Sequence, residues 1–188
     1  MSLSVIPSSA MWQNTLPEAM SPDEVAWLAH SGSLSARLGT LGRFSVAVVC
    51  EGEGLANRED GEAPSVETGA LLWRRDVVLH VDDEAVVCAH SATPLAESAN
   101  AWAALRALGT QPLADILFDD ATITRSALQF RVVRLADPLF PHAAPACRGG
   151  AAQRLWARRS VFIREHAPLV VAECFLPRLW DRAGVARS

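Results

Sequence analysis

The chain has 188 residues and a mass of 20.2 kDa, and half of its residues are hydrophobic while a fifth are charged, the balance of a soluble globular protein. Its net charge of −4 argues against a nucleic-acid-binding protein, because neutralising phosphates requires a basic face. All 17 of its Lys or Arg positions are arginine, so no lysine can form a Schiff base with a substrate or with pyridoxal phosphate.

The N-terminal segment does not resemble a targeting signal. Residues 1–16 contain no basic region and no long apolar run. No window of the chain approaches the roughly 18 uninterrupted apolar residues that span a membrane. We therefore expect a cytoplasmic protein without stable membrane insertion.

Helical signals come first along the chain. Ser21 is placed to cap a helix, and Glu24 three residues later completes a capping box. A second short helix is predicted to end at Gly42, and residues 43–51 are typical of a strand. The acidic, glycine-rich segment 52–69 predicts a long loop.

The middle of the chain combines a hairpin with helices. Apolar segments on either side of Asp82 and Asp83 predict two strands joined by a tight turn. Residues 94–109 are rich in alanine and leucine and predict the clearest helix, which ends at its final glycine. Residues 111–118 predict another short helix.

The last third again favours strands. Residues 126–134 predict a strand, and the Ala/Pro/Gly-rich segment 135–153 predicts an irregular surface loop. Segments 155–163 and 169–176 predict a final hairpin, and the tail after Trp180 is expected to fray. Together the elements predict a single α+β domain over residues 1–188, its core at about 20–180 and its termini loose. It would contain one antiparallel sheet of about six strands, with helices on one face.

Familiar cofactor and metal motifs are missing from the sequence. It has no glycine-rich phosphate loop, no HxxxH pair and no CxxC spacing, and its five histidines are dispersed. Three of the four cysteines lie in apolar, strand-like runs, where cysteine usually acts as a small buried hydrophobe. We expect no metal ligand or nucleophile among these thiols, which are Cys50, Cys88, Cys147 and Cys174.

Two charged residues occupy positions where the strand pattern requires apolar side chains. Arg75 alternates with Trp73, Val77 and Leu79, and Glu173 lies within the apolar run "PLVVAECFLP". Because an unpaired buried charge is costly, each requires a partner. The two could pair with each other, or Glu173 could face solvent. Alternatively, they mark the ends of an apolar cavity that binds a small, flat anion.

The sequence resembles the chorismate pyruvate-lyases, which make 4-hydroxybenzoate for ubiquinone synthesis. The resemblance covers roughly residues 20–180 and rests on six segments in order: "SLSARL", "WRRDVVLHVDDEAVVCAHSATP", "ALGTQPLADILF", "TITRS", "LWARRSVFI" and "LVVAECFLP". It implies a lyase that converts chorismate into 4-hydroxybenzoate and pyruvate, on an antiparallel sheet with helical flaps over a buried site. It also implies a monomer that needs no cofactor, because the substrate aromatises by itself.

The resemblance also implies roles for individual residues. Arg75 would bind the ring carboxylate together with the main-chain amides of Leu34 and Leu113, and Glu173 would hold the hydroxyl across the ring. Leu34 stands where a methionine is familiar, a tolerable change if the backbone makes the contact. His90 stands where the family commonly has arginine, so a charged guide near the entrance would be missing or titratable.

Three questions stay open at this level. Glu173 could act as a general base or only orient the hydroxyl, donating a hydrogen bond if apolar surroundings raise its pKa. The aromatic product keeps both groups that the site would hold, so slow release and product inhibition are expected. The same fold also serves as an effector-sensing domain in some transcription regulators. That alternative is disfavoured because only about 40 residues, not basic in character, precede the first predicted strand.

Overall fold

A computed structural model describes residues 11–18, 20–56, 68–134, 137–147 and 154–184. Within these ranges seven strands form one antiparallel sheet in the order β1-β2-β3-β7-β6-β4, and β5 also pairs with β6. The strands are β1 (Phe44–Leu55), β2 (Leu71–Val81), β3 (Glu84–Pro94), β4 (Thr124–Arg125), β5 (Gln129–Arg134), β6 (Arg154–Arg164) and β7 (Ala167–Phe175).

Helices make up a smaller part of the described chain. The α-helices are α1 (Pro22–Leu28), α2 (Leu34–Gly39), α3 (Ala114–Leu117), α4 (Ala143–Ala146) and α5 (Pro177–Ala183), and two short 3₁₀ helices span Glu97–Ala99 and Ala103–Ala107. None of the helices in the described ranges has the length and apolar character needed to cross a membrane.

The predicted fold class, α+β with one antiparallel sheet, is confirmed. The described residues form seven strands where about six were predicted, because the region around 126–134 supplies two strands, the two-residue β4 and the longer β5. Both predicted hairpins form through two-residue turns with positive φ, at Asp82 and Asp83 (47° and 67°) and at Glu165 and His166 (51° and 68°). Such turns match the right-handed twist of the strands that they join.

The capping box at the start of α1 is also confirmed, and it ties α1 to the sheet. Ser21 and Glu24 exchange hydrogen bonds, the Ser21 amide donating to Oε2 of Glu24 at 2.8 Å. The other carboxylate oxygen of Glu24 accepts from the indole nitrogen of Trp156 on β6 at 3.0 Å. One side chain therefore both starts the helix and fixes its position over the sheet.

The long helix predicted over 94–109 is wrong. Strand β3 runs to Pro94, and the following residues form only the two short 3₁₀ helices. Asn100 interrupts them with φ −117° and ψ −109°. Trp102 is buried against the sheet, and its indole nitrogen donates to the Ala167 carbonyl at 3.2 Å. Burial of this large side chain outweighs the helix propensity of the surrounding alanines and leucines.

Two predicted loops also differ from expectation. Strand β1 continues through Leu55 opposite β2, so residues 52–55 are strand, and 57–67 lie outside the described residues. The described part of 135–153 is not a surface loop, because it packs several apolar side chains into the core, namely Leu139, Phe140, Ala143 and Cys147. At the C-terminus α5 extends past Trp180 to Ala183, so these residues are not frayed, and residues 185–188 of the predicted loose tail lie outside the described residues.

Both faces of the sheet are covered. Helices α1, α2 and α5 pack on one face, against side chains that include Val77, Leu79 and Phe175. The segment containing α4 covers the opposite face, against Cys88 and Cys174 among others. Helices therefore lie on both faces, whereas the sequence predicted them on one face only. The face under α1 and α2 is the one that contains the cavity.

Candidate active site

A cavity of about 630 Å³, counting the space at its mouth, lies between the sheet and two short segments above it. Its floor is formed by β2, β3, β7 and β6. The first segment, residues 28–35, joins α1 to α2 and is called the first flap. The second, residues 109–118, contains α3 and is called the second flap. All four site residues predicted from sequence line this cavity: Leu34, Arg75, Leu113 and Glu173.

Strand pairing places the two odd charges on the same face. Two neighbouring cross-strand rows form the floor, Arg75–Ser91–Val171–Ser160 and Val77–Ala89–Glu173–Arg158. Arg75 and Glu173 are thus separated by strand β3. Because adjacent strands are roughly 4.8 Å apart, their main chains are about 10 Å apart across the sheet. Both side chains rise from this face, one on each side of strand β3.

Arg75 is buried at one end of the cavity, with 3% of the residue exposed. Its Nη2 donates to two main-chain carbonyls of the second flap, Gly109 at 2.8 Å and Gln111 at 3.3 Å. Its Nε has no hydrogen-bond partner among the described residues, and Oε1 of Glu51 lies 3.8 Å away. Burial lowers the pKa of Arg75, and Glu51 opposes this shift. Within the described residues the guanidinium therefore donates only through Nη2, and the residue lines the cavity.

Glu173 pairs with a residue that the sequence analysis did not select. Its Oε2 accepts from Nε of Arg158 at 2.5 Å, across the pairing of β6 and β7. The alternative in which Arg75 and Glu173 neutralise each other is therefore wrong, as is a solvent-facing Glu173, whose side chain is only 14% exposed. Oε1 of Glu173 accepts from no donor within the described parts of the chain, so it is open to a hydroxyl group of a ligand.

Arg158 also holds the first flap to the floor. Its Nη1 donates to three main-chain carbonyls around the C-terminal end of α1, those of Trp27, Leu28 and His30, at distances from 2.6 to 3.4 Å. Cations near a helix C-terminus stabilise its carbonyl groups. One buried arginine therefore positions both the first flap and the carboxylate of Glu173.

Arg125 completes the charged lining. Its Nε donates to Oγ of Ser160 at 2.8 Å and its Nη1 to the Ser31 carbonyl of the first flap at 2.7 Å. The guanidinium lies 5.1 Å from the centre of the Phe162 ring. Burial and then Arg158 lower the pKa of Arg125, and Glu173 raises it, which reflects the closeness of these three groups.

The sequence contained a signal for one of the two missed arginines. Arg158 alternates with Trp156 and Phe162 along β6, which is the same apolar-face pattern that identified Arg75. Arg125 lies on a strand of two residues, too short for any periodic pattern, and only its place in the segment "TITRS" of the family resemblance marks it.

Leu34 and Leu113 lie in the roof, one in each flap. Leu34 is the first residue of α2, after the N-cap Ser33, and Leu113 directly precedes α3. Amides in the first turn of a helix have no acceptor within the helix. Both main-chain N–H groups are thus at positions where a ligand can accept from them.

His90 borders the cavity but does not stand at its entrance as a charged guide. Only 2% of the residue is exposed, and its Nδ1 lies 2.6 Å from Oδ1 of Asp76 on the neighbouring strand. Asp76 and His90 are cross-strand partners in the row between the two that form the floor. Of the two alternatives predicted for this position, a missing guide or a titratable one, the structure favours the missing guide, because the imidazole is buried and paired with Asp76.

Solved structures share the architecture at low sequence identity. The effector domain of PhnF from Mycobacterium smegmatis has a TM-score of 0.55 and 15% identity, covering 78% of this chain and 90% of that one. The C-terminal domain of the histidine utilization repressor from Pseudomonas syringae pv. tomato has a TM-score of 0.54 and 15% identity, covering 72% and 93%. At this level of identity the likeness shows the fold alone.

Sequence relatives are much closer. A protein of Bordetella avium named probable chorismate pyruvate-lyase is 39% identical over 97% of this chain and 91% of its own length. A protein of Burkholderia pseudomallei named probable chorismate pyruvate-lyase 1 is 35% identical over 96% and 97%. The family model described as chorismate lyase matches residues 6–185. The chain therefore belongs to the chorismate lyase family, which confirms the resemblance seen in its sequence and the prediction of a lyase.

Proposed function

We propose that the protein converts chorismate into 4-hydroxybenzoate and pyruvate. The observation that carries this proposal is one cavity lined both by the guanidinium of Arg75, whose hydrogen bonds within the described residues all come from Nη2, and by the carboxylate of Glu173, whose Oε1 accepts from no described donor. An apolar enclosure with a few convergent polar groups suits a small aromatic acid. The 35–39% identity to relatives named for this activity supports the same substrate.

Each polar group has a place in this proposal. Arg75 binds the ring carboxylate with charge-assisted hydrogen bonds, and the amides of Leu34 and Leu113 add to them from the two flaps. Oε1 of Glu173 accepts from the C4 hydroxyl at the other end of the ring. Because Arg75 also contacts the carbonyls of Gly109 and Gln111, substrate binding and closure of the second flap involve the same side chain.

The chemistry then requires little from the protein. The hydrogen on C4 passes to the methylene carbon of the enolpyruvyl group through a six-membered cyclic arrangement, while the C3–O bond breaks. The enol ether becomes the ketone of pyruvate and the ring becomes aromatic, so atoms and electrons balance without an external reagent. The protein selects the reactive conformer and excludes water from it.

Glu173 has two possible roles in this reaction. It can fix the C4 hydroxyl so that the C4 hydrogen points at the enolpyruvyl methylene, or it can remove that hydrogen as a general base. The ion pair with Arg158 fixes one carboxylate oxygen and leaves the other for the substrate. This arrangement favours the orienting role.

The wider setting follows from the same proposal. We expect the enzyme to act in the cytoplasm as a monomer and its aromatic product to enter ubiquinone synthesis. Size-exclusion chromatography with light scattering checks the monomer, for which a mass near 20.2 kDa is expected.

A direct assay tests the activity. The protein is mixed with chorismate, and 4-hydroxybenzoate and pyruvate are quantified separately over time. We expect equal amounts of both, and a loss of activity in R75Q. The matched control is R37Q, which removes a half-buried arginine that stacks on Trp27 and binds the Ala26 carbonyl but does not line the cavity. Binding of 4-hydroxybenzoate without formation of products would overturn the proposal and favour a sensor.

A further inference from the structure

The side chains that line the cavity carry an excess of positive charge. Its lining contains three guanidinium groups, on Arg75, Arg125 and Arg158, and one carboxylate, on Glu173. Even with Glu51 beside Arg75, cations outnumber anions around this enclosed space. Buried charges are matched or costly, so this excess calls for an anionic ligand.

Two of the three arginines are already assigned. Arg75 binds the ring carboxylate under the proposed function. Arg158 uses its Nε on Glu173 and its Nη1 on carbonyls of the first flap. The third, Arg125, uses Nε and Nη1 on Ser160 and Ser31. Its Nη2 has no partner within the described residues, while Phe162 and Ser160 hold the plane of the guanidinium in place.

The location of Arg125 matches the second acidic group of the substrate. Ser160, which binds Arg125, is two residues from Arg158 on β6, and Arg158 is the partner of Glu173. In chorismate the enolpyruvyl group is on C3, next to the C4 hydroxyl that would bind Glu173. The carboxylate of that group therefore lies on the Glu173 side of the cavity, away from Arg75.

Resting on the proposed function, we propose that Arg125 binds the carboxylate of the enolpyruvyl group through its free Nη2. It thereby fixes the side chain so that its methylene carbon lies over the C4 hydrogen. Arg125 is then a substrate-binding residue that distinguishes a dicarboxylate substrate from the monocarboxylate aromatic product. Once the C3–O bond breaks, this carboxylate belongs to pyruvate, and 4-hydroxybenzoate keeps no contact with Arg125.

The test compares two stable ligands, which separates this inference from turnover. 4-Hydroxybenzoate has the ring carboxylate alone, whereas 4-hydroxy-3-(carboxymethoxy)benzoate adds a side-chain carboxylate where the enolpyruvyl group would be. Calorimetry gives the Kd of each ligand for the native protein, R125Q, R125K and the control R37Q. We expect R125Q to weaken binding of the dicarboxylate by about 10- to 100-fold and binding of 4-hydroxybenzoate by less than about threefold. R37Q should change neither.

Other results would overturn the inference. An equal loss of affinity for both ligands in R125Q would mean that Arg125 only supports the first flap. No loss of affinity would mean that Arg125 does not contact the side-chain carboxylate of the ligand. If R125Q does not fold, R125K decides, because it keeps the charge. The Kd of R125K for the dicarboxylate should stay within about tenfold of the native value. An equal loss of affinity for both ligands in R125K would contradict the role. Ligand discrimination without turnover of chorismate would instead refute the proposed function alone.

Discussion

Arg158 and Glu173 form an ion pair of 2.5 Å across strands β6 and β7, on the floor of the cavity. Arg158 is 1% exposed and also binds carbonyls of the first flap, so this pair joins the ligand site to the flap above it. The carboxylate of Glu173 is thus held by a residue whose other hydrogen bonds go to main-chain carbonyls around the C-terminal end of α1.

Removing Arg158 should destabilise the protein strongly. R158Q leaves Glu173 as a buried charge without its partner and frees three carbonyls, so we expect a loss of roughly 3–5 kcal/mol in the free energy of unfolding. Urea denaturation followed by tryptophan fluorescence measures it. The double variant R158M/E173L removes both charges and should recover part of the loss. Equal stability of R158Q and the native protein would contradict the structural role.

Substitution of Arg75 should weaken the binding of substrate and of product alike. R75Q removes the charge that faces the ring carboxylate, which both molecules carry, so we expect kcat/KM for chorismate and the affinity for 4-hydroxybenzoate to fall by about 100-fold or more. Steady-state kinetics and calorimetry give the two values. Unchanged values in R75Q, or a loss equalled by R37Q, would rule out the assigned contact.

Glu173→Gln separates the two roles of the carboxylate. Glutamine retains an oxygen that accepts from the C4 hydroxyl but cannot remove a proton, so an orienting Glu173 predicts a loss of roughly tenfold in kcat. A general base predicts a loss of at least about 100-fold. Single-turnover rates of E173Q and the native protein measure the loss, and a loss near tenfold supports the orienting role.

Release of 4-hydroxybenzoate should limit turnover. Under the proposed function the product keeps its contacts with Arg75 and Glu173, and the flaps above it are held by the arginines that line the cavity, so opening them is expected to be slower than the chemistry. Rapid mixing with excess chorismate should show a burst of product close to one equivalent per site, and added 4-hydroxybenzoate should inhibit competitively. A linear trace from the first turnover would contradict slow release.

The four thiols should differ in reactivity. Cys50 is exposed on the edge strand β1, whereas Cys88, Cys147 and Cys174 are buried. Burial raises the pKa of all three buried thiols, that of Cys88 to about 12, so they stay protonated and unreactive near neutral pH. A thiol-reactive aromatic disulfide at pH 8 should modify one thiol per native chain quickly and the others only after unfolding. The C50S variant should abolish the fast phase.

Local sequence patterns predicted the sheet well because strand faces and hairpin turns depend on near neighbours. The capping box at Ser21, the turn at Asp82 and the apolar face interrupted by Arg75 are all of this kind. The patterns failed where distant contacts decide. Trp102 buries itself against the sheet and replaces a predicted helix, and Arg125 reaches the cavity from a two-residue strand through contacts 35 and 94 residues away. No window of sequence contains that information.

The arginines of the cavity donate hydrogen bonds to six main-chain carbonyls in the flaps or next to them, those of Trp27, Leu28, His30, Ser31, Gly109 and Gln111. Every residue type offers the same carbonyl oxygen, so these hydrogen bonds do not depend on the identity of the side chains at the six positions. The position of the two flaps over the cavity therefore depends on the arginines beneath them more than on the sequence of the flaps themselves.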